Sequence, residues 1–188
     1  MSAGKPSSEA QTILRYWLEA VPNDRLAHLI RDAARGVTRA LTRRLAERGI
    51  PFGHWVFLRI LWERDGLTQR ELSEQAGLTE PTTLAALRVM ARRGYVRRDR
   101  RADNRRNNYV CLTPAGRRLK QELVPLALQV NQVAVAGVPA QDVTRTRQVL
   151  LAMIRNLAED EVSAMAQRPT ALFSARQTRS KAAKKEQA

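Results

Sequence analysis

Residues 66–98 read GLTQRELSEQAGLTEPTTLAALRVMARRGYVRR. The segment contains two short helices and their punctuation. Thr68-Gln69-Arg70-Glu71 has the form of a capping box, in which a threonine hydroxyl caps a helix start and a glutamate three residues on reaches back. The helix TQRELSEQA then ends at Gly77. After Leu78, Thr79 stands as the next N-cap, and Pro81 falls in the first turn, where its missing N–H costs nothing. The second helix, EPTTLAALRVMARR, ends at Gly94. YVRRD and NYVCL follow, with enough tyrosine and valine for two strands, and an arginine-rich loop joins them as a hairpin.

Outward from this core the chain is helical. DRLAHLIRDAARGVTRALTRRLAERG carries Leu26, Leu29, Ile30, Ala33, Val37, Leu41 and Leu45 at three/four spacing, with Asp24 as its cap and Gly49 at its end. FGHWVFLRILWER, from Phe52 to about Arg64, is apolar on nearly every side, which predicts a central, buried helix. Thr113-Pro114 opens a fifth long helix that Pro125 either kinks or divides. A last helix carries Val143, Leu150, Met153, Ile154 and Leu157, a narrow seam suited to a partner. A short helix is expected at QTILRYWLEA. The ends, 1–10 and 167–188, read as disordered.

The chain has 188 residues and a formal charge of +15. Its 44% hydrophobic content suffices for a packed core, so wholesale disorder is excluded. The charge is localised. Residues 88–106 hold nine arginines against two aspartates, and residues 167–188 hold six basic residues against one glutamate. Charge on a hairpin beside a helix pair points to nucleic acid, whereas a membrane surface would call for a basic amphipathic helix. There is no Gly-rich phosphate loop, metal motif or nucleophile elbow, so no enzyme is expected. No metal site is expected from two scattered histidines and one cysteine, Cys111. The start has no apolar h-region, and no run approaches the ~20 residues of a membrane span. A cytoplasmic protein without membrane contact is the expectation.

Two short helices and a basic hairpin spell a winged helix-turn-helix. Its second helix presents Thr79, Glu80, Thr82 and Thr83 to base edges in the major groove, with Arg88 farther along. Thr68, Gln69 and Arg70 are expected at phosphates. Arg98, Arg101, Arg105 and Arg106 belong to the wing, where arginine suits a narrow, electronegative minor groove.

From about residue 25 to 160 the sequence resembles the MarR family of winged-helix transcriptional regulators. The resemblance rests on the 66–98 stretch, on Asp103-Asn104-Arg105, and on VCLTPAG, in that order. The family's D-x-R wing signature falls on Asp103 and Arg105, which implies a groove role for Arg105, held in place by or near Asp103. The resemblance also implies a homodimer whose first and last helices intertwine, with two lobes on a pseudo-palindromic site of double-stranded DNA. The expected architecture is mainly α with a small β-hairpin wing. Residues 1–23 form an extension, 24–50 and 113–166 a helical dimerisation region, 51–112 the winged lobe, and 167–188 a basic tail.

Many MarR-like proteins are repressors released by a small aromatic carboxylate. No cofactor is expected beyond such an effector. Trp55 and Arg59 are spaced i,i+4 on the apolar second helix, offering an indole and a guanidinium clamp. His54 and His28 are further candidates, for hydrogen bonds or for sensing protonation. Arg59 has other uses: a bridge across a dimer to a carboxylate such as Asp32, or simple solvation. Trp55 has core packing as its alternative. Two competing functions stay open, an architectural DNA binder without a ligand and a redox-responsive regulator using Cys111.

Overall fold

The computed structural model describes residues 12–15, 26–100 and 108–166. The expected cap Asp24, the segment around Trp17, the wing residues Arg101, Asp103, Arg105 and Arg106, and the 167–188 tail lie outside the described residues. The chain divides into two compact units, Met1–Ala134 and Val135–Ala188.

In the first unit the elements run α1 (Leu26–Ala46), α2 (Phe52–Glu63), β1 (Leu67–Thr68), α3 (Gln69–Ala76), α4 (Glu80–Arg92), β2 (Val96–Arg100), β3 (Asn108–Leu112) and α5 (Pro114–Ala134). The second unit contains α6 (Ala140–Ala166). The fold is mainly helical with one small antiparallel sheet, and no described helix is long and apolar enough to cross a membrane.

The core forms around α2. Trp55, Phe57, Leu58 and Leu61 of this helix are buried with Leu45, Ile50, Leu72, Leu87, Met90, Val110 and Leu123. Helix α2 packs on α1, α3, α4, α5 and β3, which is why its sequence is apolar on so many sides. Arg59 and Glu63 are its exposed charged positions. Arg59 therefore keeps its charge in solvent, and burial does not oblige it to find a partner.

The sheet has a third strand that the sequence pattern did not disclose. β1 pairs Leu67 with Val110 and Thr68 with Tyr109, giving the order β1-β3-β2. Two residues are too few to show an alternation. β2 and β3 pair from Val96↔Leu112 to Arg100↔Asn108, forming the hairpin.

Asp65 ties this sheet to the helices. Its carboxylate accepts from the Leu112 N–H at 2.8 Å and the Gly66 N–H at 2.9 Å, and it pairs with Arg117 of α5 at 3.0 Å. The α5 start is equally well fixed. Thr113 Oγ1 accepts from the Gly116 N–H at 3.1 Å and donates to the Gly94 carbonyl at 2.5 Å. The Gly116 carbonyl accepts from Trp62 Nε1 at 2.9 Å. Pro125 lies inside α5 without dividing it, and buried Leu123 and Val130 anchor the helix on both sides of it.

Candidate nucleic-acid interface and adjoining cavity

The helix pair is built as its sequence prescribes. Thr68 Oγ1 accepts from the Glu71 N–H at 3.2 Å, and Glu71 accepts from the Thr68 N–H at 2.7 Å, closing the capping box. Gly77 takes the left-handed conformation at φ 63°, and the Leu78 N–H reaches back to the Ser73 carbonyl at 3.0 Å. This turn aims the start of α4 away from the core. Thr79, Glu80, Pro81 and Thr82 are all exposed there. Thr79 occupies the N-cap position, but its hydroxyl makes no capping bond; it pairs with the Thr82 hydroxyl at 2.9 Å.

Thr83 requires a correction. It was expected to read DNA, yet it is fully buried and its hydroxyl has no partner among the described residues. Thr83, Leu87 and Met90 form the inward stripe of α4. Their spacing of four and three was visible in the sequence and could have separated Thr83 from Thr82. The outward stripe instead runs Thr82, Ala85, Arg88, all exposed. Ala85 was not among the sequence candidates; it is small and exposed between Thr82 and Arg88.

The α3 candidates each have intramolecular work. The Thr68 hydroxyl serves the capping box. Gln69 Nε2 donates to the Glu80 carbonyl at 3.4 Å, linking the two helix starts, and Arg70 pairs with Glu74 at 2.9 Å. On the wing, Arg98 is exposed and lies opposite Val110, while Arg97 pairs with Asp99. Arg88 is exposed on α4, and Arg93 at its end donates to the Gly49 carbonyl at 2.6 Å.

Beside this interface lies an open cavity of about 330 Å³ between α2 and α3. Trp55, Val56, Arg59, Ile60 and Glu63 line it from α2, and Gln75 and Ala76 line it from α3. The structure thus brings Trp55 and Arg59 together. Trp55 is only 6% exposed, and its ring meets Trp62 edge-on at 5.7 Å, so it serves as a wall. His54 and His28 do not join them. His54 is buried away from the lining, with Nδ1 unpartnered among the described residues, and His28 is exposed on α1. Burial, and then the nearby Arg93 charge, push the His54 pKa below its ordinary 6.5. One step along a helix turns a side chain by about 100°, and His54 lies on the side of Trp55 away from Val56 and Arg59.

Cys111 sits half-buried on β3. Burial first, then Asp99 and Asp65, push its thiol pKa up, which works against the thiolate needed for oxidation.

A family model described as MarR family matches residues 52–107. The organic hydroperoxide resistance transcriptional regulator of Bacillus subtilis (strain 168) is 27% identical over 103 residues, 55% of this chain and 70% of that protein. The solved structure of transcriptional regulator PA3341 is 30% identical with a TM-score of 0.64, covering 71% of this chain and 98% of that one. The chain belongs to the MarR family. It is therefore a DNA-binding transcriptional regulator and not an enzyme. A MarR regulator from Listeria monocytogenes, solved with a 26mer DNA, superposes with a TM-score of 0.66 at 18% identity, over 78% of this chain and 97% of that one. At that identity the likeness concerns the fold.

Proposed function

We propose that this MarR-family chain acts as a homodimeric repressor, released from a pseudo-palindromic operator by a small aromatic carboxylate. The observation that carries the effector is the cavity holding Arg59 against an apolar wall, with α3 forming its far side. A guanidinium can clamp a carboxylate bidentately while the ring replaces water against Trp55 and Ile60. The same α3 holds the start of α4 through the Gln69–Glu80 bond and the Gly77 turn. A ligand that prefers one α3 position would shift the population toward lobes whose recognition helices no longer match successive major grooves, roughly 34–36 Å apart.

A dimer is supported by α6, where Leu150, Ile154 and Leu157 recur at three/four spacing and stay exposed. The redox alternative has less support, because the setting of Cys111 disfavours its thiolate.

The test begins with genomic DNA captured by the protein and sequenced, with and without a panel of aromatic acids. A few palindromic sites, lost on adding one acid, are expected. Fluorescence anisotropy on such a site should then show that Arg88→Ala weakens binding and lowers the salt slope by about one unit, as for a lost phosphate contact. Arg59→Ala should bind DNA normally and resist release. Broad, sequence-indifferent capture that no acid alters would replace this reading with an architectural one.

A further inference from the structure

Arg59 and Glu63 stand one helical turn apart on the exposed face of α2, and both line the same cavity. An arginine and a glutamate at i,i+4 commonly pair. Arg70 and Glu74 on α3 do so at 2.9 Å. Arg59 and Glu63 form no ion pair with each other or with any described residue. The cavity therefore presents a separate cationic and a separate anionic head, with apolar Val56 and Ile60 beside them and the Gln75 amide across from them.

We propose that this cavity selects an amphoteric effector: a single aromatic ring bearing a carboxylate at one end and a protonated amine at the other. The proposal rests on the aromatic-acid reading above and narrows it. A plain aromatic acid satisfies Arg59 but brings its own negative charge toward the Glu63 carboxylate. An ammonium group at the far end of the ring turns that repulsion into a charge-assisted hydrogen bond. The separation suits one ring, since Cβ atoms at i,i+4 lie about 6 Å apart. A volume of about 330 Å³ is also at the small end for organic ligands, which favours one ring over a fused system. Gln75 can hydrogen-bond either end, so occupancy is felt by α3.

The test is isothermal titration of the full chain with benzoate and with 4-(aminomethyl)benzoate. The zwitterion should bind about tenfold more tightly than benzoate, the size expected of one charge-assisted hydrogen bond at a partly solvated site. Glu63→Gln should bring the two to parity. Glu63 is exposed, so folding is not at stake, and circular dichroism checks it. Equal binding of both probes by the unaltered chain, or a preference that survives Glu63→Gln, would overturn the amphoteric assignment and leave the aromatic-acid reading standing. Failure of both probes to bind would overturn both.

Discussion

Thr82 and Thr83 are neighbours of identical chemistry with opposite placements. Thr82 lies open at the start of α4, and Thr83 has no exposure and an unpartnered hydroxyl. An unsatisfied buried hydroxyl carries its desolvation cost without a compensating bond. Thr83→Val should therefore raise stability by about 1 kcal/mol in urea titration and leave operator affinity unchanged. Weakened DNA binding in a normally folded Thr83→Val would return this residue to the interface. His54 makes a second prediction at this scale. Its folded pKa lies below the ordinary 6.5, so between those two values the unfolded chain binds more protons than the folded one. Stability should thus fall as pH drops below about 6.5. In His54→Gln the melting temperature should fall less between pH 7 and pH 5 than in the unaltered chain; equal slopes would assign the acid sensitivity to other groups.

At the scale of elements, the helix pair needs only local chemistry, and its junction with α5 needs much more. A Cβ on Gly116 would lie 2.1 Å from the Tyr95 carbonyl oxygen, a backbone atom that no rotamer change can move. The same residue's carbonyl is bonded to Trp62, and its N–H to Thr113. Gly116→Ala should consequently force α5 away from the base of the wing and cost about 3 kcal/mol or more, read from denaturation midpoints. A loss below roughly 1 kcal/mol would mean that α5 shifts easily. The LTPAG run thus has a structural meaning: threonine ties the helix start to the strand, proline fits its first turn, and glycine lets the backbones meet. Asp65 does comparable work on the other side of the wing, holding β3 and Arg117 together.

For the molecule as a whole, the exposed apolar seam of α6 bears on assembly. Leu157 is 66% exposed and Ile154 65%, values that suit a surface awaiting a second chain. If the proposed dimer forms through this seam, Leu157→Lys should leave a monomer in light scattering and weaken operator binding strongly, because one lobe alone reads only a half-site. A dimer that persists unchanged would move the interface off this seam.

Periodicity, capping residues and turn glycines act between residues three or four apart, so the sequence alone determined the helices, the turn between α3 and α4, the basic hairpin and hence the winged-helix class. Those same local rules could not show that Leu67-Thr68 joins a sheet through residues forty positions onward. Nor could they show that Gln69 ties to Glu80, or that α3 forms the far side of a cavity beside Trp55 and Arg59 which His54 does not line. The tertiary structure decided these points, because burial and pairing depend on which elements meet in space.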